Sequence, residues 1–323
     1  MIITSANDEM ADRGRRMLRS ALGPLIAEWL DDPNIAEVML NPDGRLWVDR
    51  LEGGLAPTSA GLAPGDAERV IRLTAHHVGV EVHAARPRIS AELPGGGERF
   101  EGLLPPITTA PVFAIRKPAR RVFGLEDYVR TGVMDPFQAA LLAETVAARR
   151  TVLVAGATSS GKTTLVNALL AEMARTEDRL VLIEDVRELQ CAAPNVVSLR
   201  TFEAAASLGE LVRSALRLRP DRILIGEVRG PEALDLLKAW GTGHPGGVGT
   251  LHAGSALGAL LRLEQLIQEA VVTVPRDLIA ETVDLVAVLT GRGAERRLSE
   301  LAWIQGLDPL GGYQLTPAIP HAA

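Results

Sequence analysis

The stretch TVLVAGATSSGKTTLVNALL, residues 151–170, decides the fold of the second half of the chain. It begins with an unbroken apolar run, typical of a buried strand, and ends with the spacing of a helix. Between the two, residues 156–163 fit the pattern G-x-x-x-x-G-K-[ST]. Glycines in such a loop let successive backbone N–H groups converge on an anion, and the helix N-terminus adds its positive end. The stretch therefore predicts a phosphate-binding loop between a strand and a helix.

The polar residues of this loop are suited to a nucleoside triphosphate. The Lys162 ammonium is placed to reach the β- and γ-phosphates, and the Thr163 hydroxyl is placed to ligate Mg²⁺. Lysine is scarce in the chain, occurring only at 117, 162 and 238, and one of the three stands where phosphate chemistry needs it. The remaining predicted nucleotide-binding residues of the loop are Gly156, Ser159, Ser160 and Gly161.

The chain from residue 137 onward repeats a rhythm of strand, loop and helix. Unbroken apolar runs at 180–183 and 223–225 predict two further strands with helices between them. Unbroken apolar strands that alternate with helices are typical of a mostly parallel sheet covered on both faces. We therefore expect an α/β domain over residues 137–323.

Carboxylates follow the second and third of these strands, at the edge where open α/β sheets bind ligands. Glu184, Asp185 and Glu188 are candidates to hold Mg²⁺ through water or to polarise a nucleophile, and a solvated acidic loop is the alternative. Glu227 ends the third strand and is the candidate to orient or deprotonate an attacking water. Gly226 stands where many phosphate-loop enzymes carry a Mg²⁺-binding aspartate.

Two histidines flank the Gly-rich stretch GTGHPGGVGTLHA, residues 241–253. The stretch also matches G-x-G-x-x-G, but a helix rather than a strand precedes it, which excludes a dinucleotide site. His244 and His252 are candidates to sense or contact the γ-phosphate, and a structural role is equally open for each. The chain has no H-E-x-x-H, no C-x-x-C and one cysteine, Cys191, so we expect no His/Cys metal site and no internal disulfide.

The first part of the chain has a different organisation. Residues 1–120 combine two helical patterns with short strands and turn signals, which predicts an α+β domain, and the looser residues 121–136 are predicted to be a linker. Arg99 stands at the start of one strand of this domain, and Arg116 stands at the end of another. They are candidates to reach a nucleotide's phosphates, from this domain or from a neighbouring subunit; a solvated or carboxylate-paired arginine is the alternative.

The composition excludes several classes of protein. Hydrophobic residues make up 47% and charged residues 23% of the chain, which excludes a wholly disordered protein. Lys and Arg total 34 against 40 Asp and Glu, so we expect no stable direct binding of nucleic acid. No apolar run approaches the roughly 18 residues that span a bilayer, and residues 1–16 lack the apolar segment of a secretory signal. We expect a soluble cytoplasmic protein.

Four motifs stand in a fixed order: GATSSGKTT, IEDVRE, LRLRPDRILIGEVRG and GTGHPGGVGTLHA. Together they resemble the ATPases that drive type II secretion, type IV secretion and type IV pili, in which glycine also precedes the Walker B glutamate. The segment LRLRPDRILIGEVRG, together with ALDLLKAWGTGHPGG, is most similar to the conjugal-transfer members of this family. The tight-adherence pilus ATPases share much of this sequence, so membership in that group is the nearest alternative assignment.

The resemblance implies a hexameric ring of ATP hydrolases at the cytoplasmic face of the bacterial inner membrane, bound to inner-membrane components of a transport channel. Each subunit would have a RecA-like nucleotide-binding domain, with the N-terminal domain capping the nucleotide and supporting oligomerisation. The residues that the resemblance marks for phosphate and Mg²⁺ are Gly161, Lys162, Thr163 and Thr164, with Arg99 and Arg116 reading the phosphates.

The resemblance also assigns the chemistry. Glu227 would be catalytic with Glu184 and Glu188 assisting, and His244 and His252 would couple the state of the phosphate to domain movement. We therefore predict an ATP- and Mg²⁺-dependent hydrolase that powers type IV secretion or conjugative transfer. The alternatives are an ATPase of tight-adherence or type IV pilus assembly, a DNA-translocating RecA-like ATPase, and a nucleotide-switched scaffold with little turnover.

Overall fold

The computed structural model describes residues 6–51, 53–118, 122–202 and 206–318. The chain divides into two compact units, residues 1–120 and 121–323. None of the described helices is both long enough and apolar enough to cross a membrane.

The described part of the first unit is a six-stranded antiparallel sheet with two helices. Its elements are α1 (Ala6–Asp31), β1 (Ile35–Leu40), β2 (Arg45–Arg50), β3 (Gly54–Gly61), α2 (Pro64–His77), β4 (Arg88–Glu92), β5 (Arg99–Leu103) and β6 (Val112–Arg116). The strand order is β3-β2-β1-β6-β5-β4. α1 is kinked at Gly23, where φ is 79°, because Pro24 cannot continue a regular helix.

The described part of the second unit is built on one eight-stranded sheet. Its helices are α3 (Leu125–Arg130), α4 (Pro136–Ala147), α5 (Lys162–Met173), α6 (Leu208–Ala215), α7 (Glu232–Gly241), α8 (Ala256–Gln268) and α9 (Arg276–Thr282). Its strands are β7 (Val152–Gly156), β8 (Leu180–Glu184), β9 (Val196–Arg200), β10 (Arg222–Ile225), β11 (Val248–Leu251), β12 (Leu285–Thr290), β13 (Arg297–Leu307) and β14 (Tyr313–Pro317). Two short 3₁₀ turns lie at Leu216–Leu218 and Gly293–Glu295.

The predicted mostly parallel sheet is confirmed. The strand order is β14-β13-β12-β7-β11-β10-β8-β9, and the six strands from β12 to β9 are parallel to their neighbours. β13 and β14 extend the sheet as an antiparallel hairpin beside β12.

The unbroken apolar run of β7 follows from burial on both faces of the sheet. Leu153 and Ala155 pack into one hydrophobic core, and Val152 and Val154 pack into the other. A strand with helices on both faces needs an apolar residue at every position, because neither side meets water.

Residues 121–136 differ from the predicted linker. From residue 122 on they belong to the second unit, and they form α3 and the turn that follows it. Leu125, Tyr128 and Met134 are buried in the core that also contains α4 and α5. The prediction of a linker was wrong for this segment because α3 is too short for its spacing to show in the sequence.

The parallel strands bring five connections to one edge of the sheet. The carboxyl ends of β7, β8, β10, β11 and β12 lead into residues 157–161, 185–195, 226–231, 252–255 and 291–296. Because the strands are parallel, these connections meet although they are far apart in the sequence.

Candidate functional site

The phosphate-loop motif lies between β7 and α5, as its sequence predicts. Gly161 forms the N-cap of α5 in the left-handed region with φ at 98°. A Cβ built on Gly156 would lie 2.4 Å from Ser160 Oγ and 2.6 Å from the carbonyl oxygen of Leu289, so the loop leaves no room for a side chain there. Within the described residues, the buried Ser160 Oγ has no hydrogen-bond partner. Ser159 is exposed with φ at 64°, and Thr164 follows in the first turn of α5.

The Lys162 side chain turns back over this loop. Its Nζ donates to the carbonyl oxygens of Gly156 and Ala157, each at 3.0 Å. The same Nζ lies 3.3 Å from Nδ1 of His252, which follows β11. The ammonium is therefore held at the mouth of the loop, between the loop and the next strand of the sheet.

One imidazole joins the lysine to the carboxylate that follows β10. His252 Nε2 lies 2.7 Å from Glu227 Oε1, on the side of the ring opposite to the lysine contact. A neutral imidazole with its proton on Nε2 satisfies both contacts, since Nδ1 then accepts from Lys162 and Nε2 donates to Glu227. The three residues form a continuous chain of polar contacts along the carboxyl edge of the sheet.

The second oxygen of Glu227 is bound by an arginine. Arg229 Nη2 donates to Glu227 Oε2 at 2.6 Å, and its Nη1 lies 3.4 Å from Asp185 Oδ2. Burial alone would raise the pKa of Glu227, but the hydrogen bond and charge of Arg229 outweigh it, aided by His252 and Lys162. The pKa of this carboxyl therefore lies below its ordinary value, and it is ionised at neutral pH.

Glu184 is buried beneath the acidic loop, with 4% of its surface exposed. Its Oε1 accepts the backbone N–H groups of Glu188 at 2.8 Å and Leu189 at 2.7 Å. Burial raises the pKa of Glu184 despite these bonds. A Cβ built on Gly226 would lie 3.3 Å from Glu184 Cγ, so any side chain at 226 would require Glu184 to shift slightly.

Asn167 anchors the same loop from α5. It is 2% exposed, and its side chain donates to the carbonyl oxygen of Glu188 at 3.0 Å and accepts the N–H of Gln190 at 2.9 Å. The loop so fixed presents Glu188 to the phosphate loop, where Thr163 Oγ1 donates to Glu188 Oε2 at 3.1 Å.

Thr163 and Glu188 are the residues that fit a Mg²⁺ ion. Mg²⁺ takes hard oxygen ligands and is usually held by one or two protein groups together with phosphate oxygens and water, and this pair of oxygens matches that chemistry. Asp185 accepts from Thr201 Oγ1 at 3.1 Å and lies beside Arg229, so a water-mediated metal contact would compete with those bonds. The described residues contain no group of three or more His, Cys, Asp or Glu that could hold a metal.

The structure does not bring His244 to this cluster. Its Nδ1 lies 2.8 Å from the carbonyl oxygen of Pro220, which precedes β10. That position is the amino edge of the parallel strands, opposite to the phosphate loop. Within the second unit His244 therefore holds the start of β10, whereas His252 contacts Lys162 and Glu227.

Arg99 and Arg116 are placed side by side in the first unit. They face each other directly across β5 and β6, and Glu37 of β1 lies opposite Arg116. Their face of the sheet is the one away from the buried Phe100 and Ile115. Burial raises the pKa of Glu37, with the charge of Arg116 and then Arg99 opposing it.

Two residues of the site were missed from the sequence. Arg229 stands two positions after Glu227, a spacing that puts both side chains on one side of an extended segment, and this signal was available. Asn167 is a polar residue on the buried face of α5, four residues after Thr163. No local sequence pattern predicts that it binds a distant loop.

The chain is similar to known proteins in sequence and in fold. Residues 87–292 match the family model "Type II/IV secretion system protein". The chain is similar to the conjugal transfer protein TrbB of Rhizobium radiobacter, with 48% identity over 293 residues that cover 90% of each chain. It is similar to the type IV secretion system protein PtlH of Bordetella pertussis, with 37% identity over 319 residues, 86% of this chain and 93% of that one. The solved ATPase DotB of Legionella pneumophila shares the fold, with a TM-score of 0.59 and 20% identity over 82% of this chain and 74% of that one.

Proposed function

Because the chain belongs to the type II/IV secretion system protein family, we propose that it hydrolyses ATP to power conjugative transfer through a type IV secretion apparatus. The similarity to a conjugal transfer protein over nine-tenths of both chains supports the choice of conjugation within the family. The arrangement of the phosphate loop supports a nucleoside triphosphate as the ligand that is bound and cleaved.

The observation that carries this proposal is the chain of contacts from Lys162 through His252 to Glu227. Lys162 supplies the positive charge that phosphates need, and Glu227 is an ionised carboxylate able to take a proton from a water molecule. His252 contacts both, so a movement of the lysine toward a bound phosphate changes the hydrogen bond that the carboxylate receives. Bound Mg²⁺, held by Thr163 and Glu188, would supply neutralising charge to the phosphates.

The wider setting of the activity is part of the proposal. We infer a homo-hexamer that docks on inner-membrane components of the transfer channel at the cytoplasmic face of that membrane. Arg99 and Arg116 read the phosphates of a nucleotide, and their direct pairing across β5 and β6 supports a joint role. The first unit then has a nucleotide-capping function in addition to supporting the ring.

The test is Mg²⁺-dependent ATP hydrolysis per subunit measured over a wide range of protein concentration. If sites are completed between subunits, the specific rate rises and then saturates as the ring assembles. A mock preparation, purified in the same way from cells that do not express the protein, serves as the blank for contaminating ATPases. A rate no higher than this blank at every concentration, with conjugative membrane vesicles added as well as without them, would overturn the proposed hydrolysis.

Removal of Arg229 tests the electrostatic part of the site. Arg229→Gln takes away the charge that lowers the pKa of Glu227, so this pKa rises toward the value that burial favours. The carboxylate is needed in its ionised form, so the acid limb of the kcat–pH profile is expected to move to higher pH. Arg213→Gln, which removes an exposed arginine paired with Asp235, is the matched control and should leave the profile in place. An unchanged acid limb in Arg229→Gln contradicts the prediction.

A further inference from the structure

The polar residues at the carboxyl edge of the sheet determine which way a bound nucleotide lies across the phosphate loop. Lys162, His252 and Glu227 lie over β7, β11 and β10, so the terminal phosphate belongs on that side of the phosphate loop. The strand on the other side of β7 is β12. The nucleoside end of the molecule must therefore extend over the connection that follows β12, which is residues 291–296.

Arg296 closes this connection and packs against the phosphate loop. A Cβ built on Gly161 would lie 2.9 Å from Arg296 Nε and 3.1 Å from its Cζ, so the guanidinium lies over the α-carbon of this glycine. Arg296 Nε is buried and, within the residues that the structure describes, has no hydrogen-bond partner. No carboxylate of the described part of the chain forms an ion pair with Arg296 that would explain its position.

An aromatic residue lies near Arg296. Tyr128 of α3 is 4% exposed, and its hydroxyl also lacks a hydrogen-bond partner among the described residues. Burial raises the pKa of Tyr128, and the charge of Arg296 opposes this effect. Two polar groups that lack partners among the described residues are thus near each other, and one of them, Arg296 Nε, lies against Gly161 of the phosphate loop.

We propose that Arg296 binds the nucleoside part of ATP by stacking its guanidinium plane on the base. This inference rests on the proposed function, since it needs a nucleotide in the phosphate loop. A guanidinium is planar, weakly hydrated and stacks on aromatic faces, whereas a lysine ammonium provides charge without a plane. Lys162 and the backbone N–H groups serve the phosphates, and Arg296 holds the other end of the ligand.

The experiment compares two ligands with the same number of phosphorus atoms, ADP and inorganic pyrophosphate, by calorimetric titration of the full chain with Mg²⁺. Arg296→Ala is expected to weaken ADP binding about tenfold, between the losses typical of an exposed and of a desolvated cation–π stack. Pyrophosphate affinity should stay within about twofold, which also shows that the phosphate loop is still folded. In steady-state assays KM for ATP rises and kcat stays near that of the unmodified protein.

Two further variants distinguish the contribution of the planar shape of the Arg296 guanidinium from the contribution of its charge. Arg296→Lys keeps the charge and should lose ADP affinity as Arg296→Ala does. Arg297→Ala removes the exposed neighbouring arginine and should bind ADP normally. Equal weakening of ADP and pyrophosphate in Arg296→Ala, retained ADP affinity in Arg296→Lys, or unchanged ADP affinity in both would overturn the proposal. Failure of the proposed function is distinct, because it would leave even the unmodified protein without ATP turnover.

Discussion

Glu227→Gln is expected to lower ATP turnover by about 10²–10⁴-fold, the range that a positioned general base contributes. Glutamine has nearly the same shape, and its amide oxygen can still accept the hydrogen bond of Arg229 Nη2, which lies 2.6 Å from Glu227 Oε2, whereas its NH2 group replaces the oxygen that lies 2.7 Å from His252 Nε2. It cannot take a proton from water, so the chemical step is lost while the surroundings persist. Nucleotide affinity should remain within a few-fold of the unmodified protein, because Glu227 repels phosphate rather than binding it.

Pre-steady-state kinetics with a fluorescent ATP analogue separate the two effects. Binding should be seen at nearly normal affinity, followed by little or no phosphate release in a single turnover. Glu68→Gln is the control, since it neutralises an exposed glutamate that pairs with Arg72 on α2, and it should hydrolyse ATP normally. Turnover near the normal rate in Glu227→Gln would remove this residue from the catalytic role.

Lys162→Ala should lose both nucleotide binding and hydrolysis. A charged hydrogen bond contributes about 1.5–3 kcal/mol, so ATP affinity is expected to fall by about 10- to 150-fold. Hydrolysis should fall further, because the developing charge of the transferred phosphoryl group loses its nearest protein cation. His252 also loses the partner at its Nδ1, so the link from the phosphate site to Glu227 is interrupted.

The control for this variant is another of the chain's lysines. Lys238 is exposed on α7, and Lys238→Ala should bind and hydrolyse ATP normally. Lys162 also binds the carbonyl oxygens of Gly156 and Ala157, so the thermal midpoint of Lys162→Ala is measured to show that the sheet is intact. Normal ATP affinity in a folded Lys162→Ala protein would contradict the phosphate-binding role of the loop.

The sequence predicted the strands that lie deepest in the second unit. β7, β8 and β10 are apolar at nearly every position because they are covered on both faces, and an unbroken apolar run records that burial directly. β9 and β14 are half exposed, so their sequences carry no such run. Their place in the sheet depends on pairing with neighbours, which no local pattern shows.

The sequence also predicted the phosphate loop with its residues in order. The sequence pattern that identifies this loop is local, since the glycines, Lys162 and Thr163 lie within the eight residues 156–163. Two residues that the prediction missed act at a distance, unlike Arg229, which binds Glu227 two positions away. Asn167 binds a loop that begins after β8, and Arg296 packs on Gly161 from a connection more distant still along the chain.

His244 and His252 show most clearly which properties of a residue follow from the sequence and which follow from the tertiary structure. The sequence by itself determined that His244 and His252 flank one Gly-rich segment, and it made them equal candidates. The tertiary structure separated them, because β11 runs from Val248 to Leu251 between the two and carries them to opposite edges of the sheet. His252 then meets Lys162 and Glu227, which parallel strands bring to the same edge, while His244 binds Pro220 at the other. The sequence gives the type of each side chain and so the bonds it can form. The partners of that side chain depend on the pairing of strands that are distant in the sequence.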